Sequence, residues 1–277
     1  MNDFDAYVAR KEAEAARAVL SPLVTEVDQP PSDVIAVGNA WSRGLFDGPF
    51  YLSPPASPEL PSTSLVFVQS REGNTGASDP SSLGGGEIDK HLIYEGLSRV
   101  AADAVLAGAE TVRSGNVVLS IWRPELVALR ESLGLPRHPI QIVATLAGLR
   151  YEGRLFNTPA LRLIVLTVGA CSELMLTETA ARPWITMLPM PTAGDLPYAF
   201  RRLRALGINR VSCVGGRTLA RQLIDTGLIQ DLYLTKSPKA GGAPGTPLYP
   251  GPLNGALIVR KRGSGPDEGV VFEHRQL

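Results

Sequence analysis

The chain has 277 residues, of which 44% are hydrophobic, and its 27 basic side chains balance 27 acidic ones, so the formal net charge is zero. This length provides enough apolar material for one large domain or two small ones. Without a net charge, no long-range field draws the protein to nucleic acid or to an anionic membrane, which argues against a dedicated DNA or RNA binder.

The composition also indicates the compartment. Cys171 and Cys213 are the only cysteines, and they form no CxxC, so neither a disulfide framework nor a zinc knuckle is expected. The apolar runs, of which 161–168 is typical, are far shorter than the ~20 residues that cross a bilayer. The N-terminus has no apolar stretch of the signal-peptide type. We therefore expect a cytoplasmic protein in a reducing environment.

The first 60 residues are predicted to form an N-terminal helix and a proline-rich arm. Residues 5–20 are rich in Ala, Glu, Lys and Arg, which favours a helix that Pro22 ends. The prolines between residues 29 and 61 prevent any long regular element. The arm either packs on the main body or on a partner subunit, or it is a disordered leader.

From residue 61 to the C-terminus, short β-branched runs alternate with helical stretches, which predicts a mainly parallel sheet covered on both faces. Strands are expected at 65–69, 104–106, 140–144, 161–167, 184–188, 210–214 and 231–235. Helices are expected at 88–101, 124–133, 196–206 and 218–226. Strands at 257–261 and 270–274 flank GSGPDEG, which predicts a C-terminal antiparallel hairpin and makes the sheet mixed. The apolar residues of this hairpin fit a subunit interface or an ordinary sheet core.

Ligands of open α/β sheets gather at the carboxyl ends of the strands, and two segments there are candidates. Gly108 to Arg113 follows one strand with small residues, a hydroxyl and a cation. Gly215 to Leu219 follows another, and its two glycines lead into a helix whose first N–H groups favour an anion. Together they suggest a phosphorylated ligand, although each alone is also explained as a tight turn. Neither is a GxGxxG fingerprint or a P-loop.

Other polar residues carry weaker signals. The loop from residue 70 to 86 is long, polar and glycine-rich, so Glu72, Asn74 and Ser82 either orient a substrate or belong to a solvated loop. His91, His138 and His274 accompany no HExxH, GxSxG or paired-carboxylate pattern, so each is expected to be a surface or structural residue, and no metal is expected. Cys213 is expected in the core and Cys171 at the surface.

Three segments resemble a known family. DAVLAGAETVRSGN (103–116), VGGRTLARQLIDTGLIQDLYLTKSPKAGG (214–242) and, more weakly, QSREGNTGASD (69–79) resemble the reductase domain of bacterial riboflavin biosynthesis, the pyrimidine reductase family. The resemblance covers about residues 64–242 in the same order. It implies a dihydrofolate-reductase-like fold, with a mixed, mostly parallel sheet flanked by helices, and a homodimer.

The resemblance implies an NADPH-dependent oxidoreductase that transfers a hydride to the ribosyl group of a diaminopyrimidine phosphate, as a 5-amino-6-ribosylamino-uracil phosphate reductase does. Such chemistry needs positioning and exclusion of water rather than a covalent nucleophile. The family's cofactor positions fall on Gly108, Ala109, Thr111, Val112, Gly115, Thr145, Thr167, Gly215, Gly216, Arg217, Thr218 and Leu219. Its substrate positions fall on Glu72, Ser82, Leu119, Val214 and either Trp122 or Arg123, where a basic residue would hold the substrate phosphate.

The substrate half departs from the family more than the cofactor half does. Ser70-Arg71-Glu72-Gly73 stands where the family has Ser-Leu-Asp-Gly, and Val214 stands where it has a Glu that touches the substrate. Arg217 replaces a common Pro and is expected to pair with a cofactor phosphate. Two alternatives therefore stay open, a dihydrofolate- or pterin-type reductase and a diverged paralogue that binds NADPH without turnover.

Overall fold

A ten-stranded sheet forms the centre of the molecule. The computed structural model describes residues 3–77, 79–113, 116–168 and 173–277. The strands in these ranges are β1 (Val24–Asp28), β2 (Ile35–Val37), β3 (Phe50–Leu52), β4 (Ser62–Gln69), β5 (Ala104–Gly108), β6 (Ile140–Thr145), β7 (Leu163–Val168), β8 (Ile185–Met190), β9 (Arg210–Cys213), β10 (Asp231–Lys236), β11 (Ala256–Arg262) and β12 (Val271–Gln276). Only β2 and β3 lie outside the large sheet, as a separate antiparallel pair.

Helices cover both faces of this sheet. They are α1 (Asp3–Arg17), α2 (Ala40–Phe46), α3, α4 (Ala109–Val112), α5 (Pro124–Ser132), α6 (Glu173–Ala180), α7 (Leu196–Ala205) and α8 (Arg217–Asp225). Helix α3 begins as one α-helical turn, Gly86–Ile88, and continues as a π-helix, Asp89–Leu97. Short 3₁₀ turns occur at Pro80–Leu83 and Gly265–Asp267.

The strand order is β1-β11-β12-β10-β4-β9-β5-β6-β7-β8. The seven strands from β10 to β8 in this order are parallel, and β12, β11 and β1 extend the sheet with antiparallel pairs. The mixed, mostly parallel sheet with a C-terminal antiparallel hairpin confirms the predicted fold class. Because the chain leaves β4 for β5 and later inserts β9 between them, the order reverses there, which is where open sheets bind ligands.

The predicted strands are all present, with boundaries that differ by one to three residues. Their residues alternate between two cores, since successive side chains point to opposite faces. Val105 and Val143 face one core together with α2, α3 and the segment 117–121. Leu106 and Ile142 face the other, which α7 and α8 close with Phe200 and Leu223 among others. The sequence analysis missed the strands β1, β2 and β3 and the helices α2, α4 and α6.

The N-terminal arm packs on the main body. Tyr7 of α1 makes an edge-to-face contact with Trp122, with ring centroids 5.6 Å apart. Glu12 pairs with Arg137 at 2.7 Å. Further along the arm, β1 adds an edge strand next to β11. These contacts favour packing over a disordered leader, whereas the division of the chain at residue 60 stays a prediction.

The histidines and the described cysteine are structural. His91 and His274 are buried, and the His138 ring lies 2.7 Å from the Ser120 hydroxyl, so none of the three is a free surface residue. Burial and the neighbouring arginines lower the pKa of His138 to about 4. Cys213 is buried in the core as predicted, while Cys171 lies outside the described residues.

The C-terminal hairpin contributes to the core. Ile258 and Val270 are buried, so they belong to the ordinary sheet core rather than to an exposed face. Leu257 and Val271 are half-buried.

Among the described residues, no helix is both long and apolar enough to cross a membrane.

Candidate active site

The loops that follow β5 and β9 touch each other at the carboxyl edge of the sheet. The Val214 N–H donates to the Leu106 carbonyl at 2.9 Å, and the Gly108 N–H lies 3.4 Å from the Gly215 carbonyl oxygen. The parallel ladder of β5 and β9 therefore continues into the first residues of both loops. It brings together the two glycine segments that the sequence singles out.

Three glycines meet at this contact, which we call the glycine corner: Gly108, Gly215 and Gly216. Gly216 has φ +87°, a left-handed conformation that residues with a Cβ rarely adopt. A Cβ on Gly215 would lie 3.1 Å from the Thr111 hydroxyl, which is tighter than ordinary contact. A Cβ on Gly108 would meet the Gly215 carbonyl and the Gly216 Cα at 3.9 Å. The corner thus presents main chain rather than side chains, as a close-lying dinucleotide needs.

Helix α8 starts at the glycine corner, with Gly216 as its N-cap and Arg217 as its first residue. Its leading N–H groups and its dipole favour an anion there. Arg217 and Thr218 are exposed, and within the described parts of the chain Arg217 forms no hydrogen bond or ion pair. Leu219 instead turns into the core. Of the α8 residues predicted to meet the cofactor, Arg217 and Thr218 have side chains accessible to it.

The neighbouring strand ends extend this edge. Gly108 pairs in register with Ala144, one residue before Thr145, and Thr145 pairs with Thr167. Both threonines are buried, and the Thr145 hydroxyl donates to the Gly148 carbonyl at 2.9 Å. The predicted cofactor positions therefore follow the ends of β9, β5, β6 and β7, which span roughly 14 Å at the usual strand spacing.

Three further cofactor positions have different surroundings. Ala109 begins α4 beside the glycine corner and is half-buried. The Val112 side chain is buried in the core, so only its main chain is available to a ligand. Gly115 lies outside the described residues.

Glu72 lies on the turn after β4, at the same edge of the sheet. It is exposed, and its Oε2 accepts hydrogen bonds from the Gly241 N–H and the Ser70 hydroxyl, each at 3.2 Å. The pKa of Glu72 is lowered, chiefly by its own backbone N–H and then by these donors and Arg71. An ionised carboxylate that the loop already partners is better suited to fixing the loop than to moving a proton.

The remainder of the 70–86 loop lies against the segment 237–246. Asn74 donates to the Gly241 carbonyl and accepts from the Thr246 N–H, both at 3.3 Å. Ser82 is exposed in the 3₁₀ turn, and its hydroxyl donates to the Asp79 carbonyl at 2.6 Å. The described residues of this loop are therefore held in place by hydrogen bonds within the chain.

Val214 is buried at the end of β9, among the apolar side chains of the core that α3 covers. Its position before the two glycines is the one that carries a Glu in the family. The structure provides an apolar wall at this point, and Val214 offers no side-chain hydrogen bond.

Leu119 and Arg123 lie away from the glycine corner. The Gln141 side chain bonds both the N–H and the carbonyl of Leu119, at 2.9 and 3.0 Å. Because Gln141 is four residues before Thr145, this contact is roughly 13 Å from the carboxyl edge. Leu119 itself is buried in the core.

The Arg123 guanidinium is fully engaged. It donates to the Ala15 and Ala18 carbonyls at 2.8 Å each, at the end of α1, and to Glu125 at 2.9 Å. Trp122, the alternative position, is buried against Tyr7. The structure thus does not bring the predicted phosphate-binding position to the other site residues, and its role stays a prediction.

The sequence analysis did not single out Asp89 and Thr235. Asp89 starts the π-helical part of α3, and Thr235 lies one residue before the end of β10. A signal was present, because Asp89 precedes Leu92 and Ile93 by three and four residues and so shares their apolar helix face. A carboxylate on such a face is unusual.

An open pocket of about 500 Å³ lies elsewhere, near the amino end of β10, with Pro54, Tyr249 and Leu277 in its wall. It contains none of the predicted site residues, so we place the candidate site at the carboxyl edge instead.

Within the described ranges, no group of three His, Cys, Asp or Glu side chains is arranged to hold a metal ion.

Comparisons with known proteins identify the family of the chain. The family model of the RibD C-terminal domain matches residues 71–264. The chain belongs to the RibD C-terminal domain family. The resemblance to the reductase domain of bacterial riboflavin biosynthesis is thereby confirmed. No curated protein sequence matches the chain.

Solved structures share the fold. A pyrimidine reductase-like protein of Corynebacterium diphtheriae is 24% identical, with a TM-score of 0.61 over 78% of this chain and 91% of that one. RibD of Acinetobacter baumannii is 18% identical, with a TM-score of 0.59 over 79% of this chain and 58% of its own. The riboflavin biosynthesis reductase Rib7 of Saccharomyces cerevisiae is 18% identical, with a TM-score of 0.51 over 79% and 91%.

Proposed function

We propose that the protein is an NADPH-dependent reductase of the riboflavin pathway type, which reduces the ribosyl group of a phosphorylated aminopyrimidine. The observation that carries the proposal is the glycine corner, where the loops after β5 and β9 meet without intervening side chains. Family membership supports the reductase chemistry, and the names of the similar structures point to the same class of reaction.

The residues at this edge fit a phosphorylated dinucleotide. The cradle at Gly108 and Gly216 admits a ligand against the backbone, and Arg217 supplies a cation at the start of α8. NADPH, when bound, supplies the hydride. The chain would bind the cofactor phosphates, hold the two reactants together and keep water away from them, with Val214 as part of an apolar wall.

A calorimetric titration with NADPH, with NADH in parallel, tests the cofactor half. We expect micromolar NADPH binding and weaker NADH binding. Turnover is then measured with the ring-opened ribosylamino-pyrimidine phosphate and NADPH by loss of absorbance of the reduced nicotinamide. A protein that binds NADPH but reduces nothing would be the paralogue without turnover.

The glycine corner itself is tested by Gly108→Ala. The added methyl group fits the fold at ordinary contact distances and lies where the two loops meet, the place that we propose for the cofactor. We expect NADPH affinity to fall at least tenfold while the melting temperature changes little. Gly44→Ala is the control, because a Cβ there meets nothing within 4 Å. Unchanged affinity in the Gly108→Ala protein would contradict the placement of the cofactor.

A further inference from the structure

The open pocket near the amino end of β10 has a wall built largely from rigid rings. Its volume is about 500 Å³, which is typical of sites that hold a small molecule. The wall includes Pro54 and Pro55 of the arm and Tyr249 and Pro252 of the loop before β11. Proline fixes its backbone, so this wall loses little freedom when a ligand binds. The flat rings suit a planar, largely apolar ligand.

Gln230 presents a hydrogen-bond donor to this pocket. It is 8% exposed and lines the pocket. The Thr63 N–H donates to Gln230 Oε1 at 2.8 Å, and the Gln230 N–H donates to the Thr63 carbonyl at 2.9 Å. Because a backbone N–H can only donate, the side-chain atom that faces Thr63 is the amide oxygen. Gln230 Nε2 therefore points away from Thr63, and within the described ranges it has no hydrogen-bond partner.

Gln276 supplies an acceptor to the same pocket. This half-buried residue also lines the pocket, and its Nε2 donates to the Ser53 hydroxyl at 3.4 Å. That hydroxyl donates to Asp231 at 2.6 Å, so it accepts from Gln276. The amide oxygen of Gln276 is left without a partner among the described residues. The pocket thus offers N–H donors from one glutamine and an oxygen acceptor from the other, a pattern that matches the C=O and N–H of an amide.

The charges around the pocket disfavour an anion. Among the described residues that line it, Asp33 is the one charged side chain, and none is a Lys, Arg or His. Helix α8 ends at Asp225, and Ile224 and Gly227 belong to the wall, so the negative end of the helix dipole lies at the pocket. NADPH and a phosphorylated pyrimidine carry several negative charges, so neither is a suitable occupant.

The pocket is separate from the candidate active site. Helix α8 begins at the glycine corner and ends at the pocket, so the two sites lie at opposite ends of this helix. Asp33, Pro54, Pro55 and Gln276 also lie outside residues 71–264, which the family model matches. The proposed reduction uses none of these residues.

We propose that this pocket binds an uncharged aromatic amide, a planar ring that carries a C(=O)–N–H group. The carbonyl oxygen of the ligand accepts from Gln230 Nε2, and its N–H donates to Gln276 Oε1. The ring of the ligand packs against the proline and tyrosine rings of the wall. A buried donor that lacks an acceptor is costly, so the ligand that supplies the acceptor is favoured over one that does not.

Three compounds of nearly equal shape test the proposal: benzamide, benzoate and benzamidine, which are neutral, anionic and cationic at neutral pH. Binding to the full-length protein is measured by ligand-observed NMR titration, with and without saturating NADPH. We expect wild type to bind benzamide about tenfold or more tightly than either charged compound. NADPH should not displace benzamide, because the two ligands occupy different sites.

Q230E is the decisive variant. A glutamate still accepts from the Thr63 N–H, but it offers a carboxylate where the glutamine offers a donor. We expect benzamide binding to weaken about tenfold or more and benzamidine to become the tightest of the three ligands. Q222E is the matched control, since Gln222 is a half-buried glutamine of α8 that does not line the pocket. It should keep the wild-type order of affinities.

A second variant, A56W, keeps Gln230 and places a large side chain in the wall of the pocket, where Ala56 is exposed. It should weaken benzamide binding without changing NADPH affinity, which calorimetry measures. This variant keeps the test valid if the melting temperature shows that Q230E does not fold.

Three results would overturn the proposal: equal binding of benzamide and benzoate to wild type, displacement of benzamide by NADPH, or a folded Q230E protein with the wild-type order of affinities. The proposed function is tested separately. If benzamide binds through Gln230 and NADPH does not bind, the pocket stands and the proposed reductase function fails. If NADPH binds and benzamide does not, the reverse holds.

Discussion

A carboxylate lies at each end of strand β10, Asp231 of the strand itself at the amino end and Asp89 of α3 beside the carboxyl end, and their surroundings differ. At the amino end, Asp231 is buried and accepts from the Ser53 N–H at 3.0 Å and the Ser53 hydroxyl at 2.6 Å, and it lies 2.7 Å from His274 Nε2. At the carboxyl end, the Asp89 carboxyl group lies beside the Thr235 side chain and near a second carboxyl group, that of Asp267. The first carboxylate has two donors from Ser53 and a contact with His274, whereas the second lies beside one hydroxyl group and another carboxyl group.

This difference distinguishes polar groups that stabilise the fold from polar groups that are available to a ligand. Asp231 ties the arm, through Ser53, to the centre of the sheet and to the C-terminal hairpin, through His274. Breaking such a network leaves several buried groups unsatisfied, which is costly. A carboxyl group that the fold leaves poorly partnered at the carboxyl edge costs stability as well. Native proteins tolerate such groups mainly at functional sites. The Asp231 network at the amino end of β10 therefore holds the fold together, and the carboxyl end is left for the reactants.

The largest expected effect is the loss of stability on replacing Asp231, at the amino end of β10. D231A should lower the free energy of unfolding by about 3–5 kcal/mol, because Ser53 and His274 lose a buried partner together. Urea denaturation followed by circular dichroism measures it. D225A, at an exposed site, should stay within about 0.5 kcal/mol of wild type. If D231A lowers the free energy of unfolding by less than about 1 kcal/mol, the two ends of β10 do not differ in the way described above.

At the carboxyl end of β10 we expect the opposite effect, a substitution that raises the free energy of unfolding. The folded protein holds the Asp89 proton more tightly than the unfolded chain, since its pKa is raised from 3.8 to about 6. Wild type therefore loses stability as the pH rises from about 4 to about 6, and D89N, which has no such proton to lose, does not. We expect D89N to be more stable than wild type by about 2–3 kcal/mol at pH 8.

Denaturation at pH 8 and at pH 4 measures this effect. The gain should shrink towards zero at pH 4, where the wild-type carboxyl group is protonated in the folded state. D79N is unsuitable as a control because Asp79 caps the 3₁₀ turn, whereas D225N alters a surface carboxylate. A D89N protein that is less stable than wild type at pH 8 would show that Asp89 has a partner in solution.

A smaller effect, on binding rather than folding, is expected at the glycine corner. R217A should raise the Kd for NADPH more than tenfold, or by about 1.4 kcal/mol, if the guanidinium pairs with a cofactor phosphate. The effect should decrease at high salt, since an exposed ion pair is screened. R221A, one turn further along α8 and paired with Asp225, is the control for a general change of charge. An unchanged Kd in R217A would remove this residue from the cofactor site.

The placement of the residues that we propose for the cofactor was largely predictable from the sequence. Glycines directly after β-branched runs mark strand ends, and strands of one parallel sheet place their carboxyl ends at one edge. Gly108 and Gly215 therefore meet as expected, with Thr145 and Thr167 beside them. The family resemblance assigned these positions, and local sequence was sufficient because their geometry is set by the strand that precedes each of them.

The substrate half was less predictable because it depends on packing between distant segments. Arg123 was expected to hold a phosphate, but the end of α1, more than a hundred residues earlier, takes up its donors. Asp89 was not singled out, because its surroundings depend on Thr235 and Asp267, which are far from it in sequence. Neither relation has a signature in local composition.

The sequence by itself determined the alternation of strands and helices, the mixed sheet, the family and the glycine corner, because each follows from periodicity, turn residues or a continuous motif. The tertiary structure decided which polar groups find partners. The arm's β1 joins the sheet edge, Asp231 is completed by Ser53 and His274, and Asp89 lies beside Thr235 and near Asp267. Hydrogen-bond satisfaction depends on every segment that packs around a group, so only the folded chain determines it.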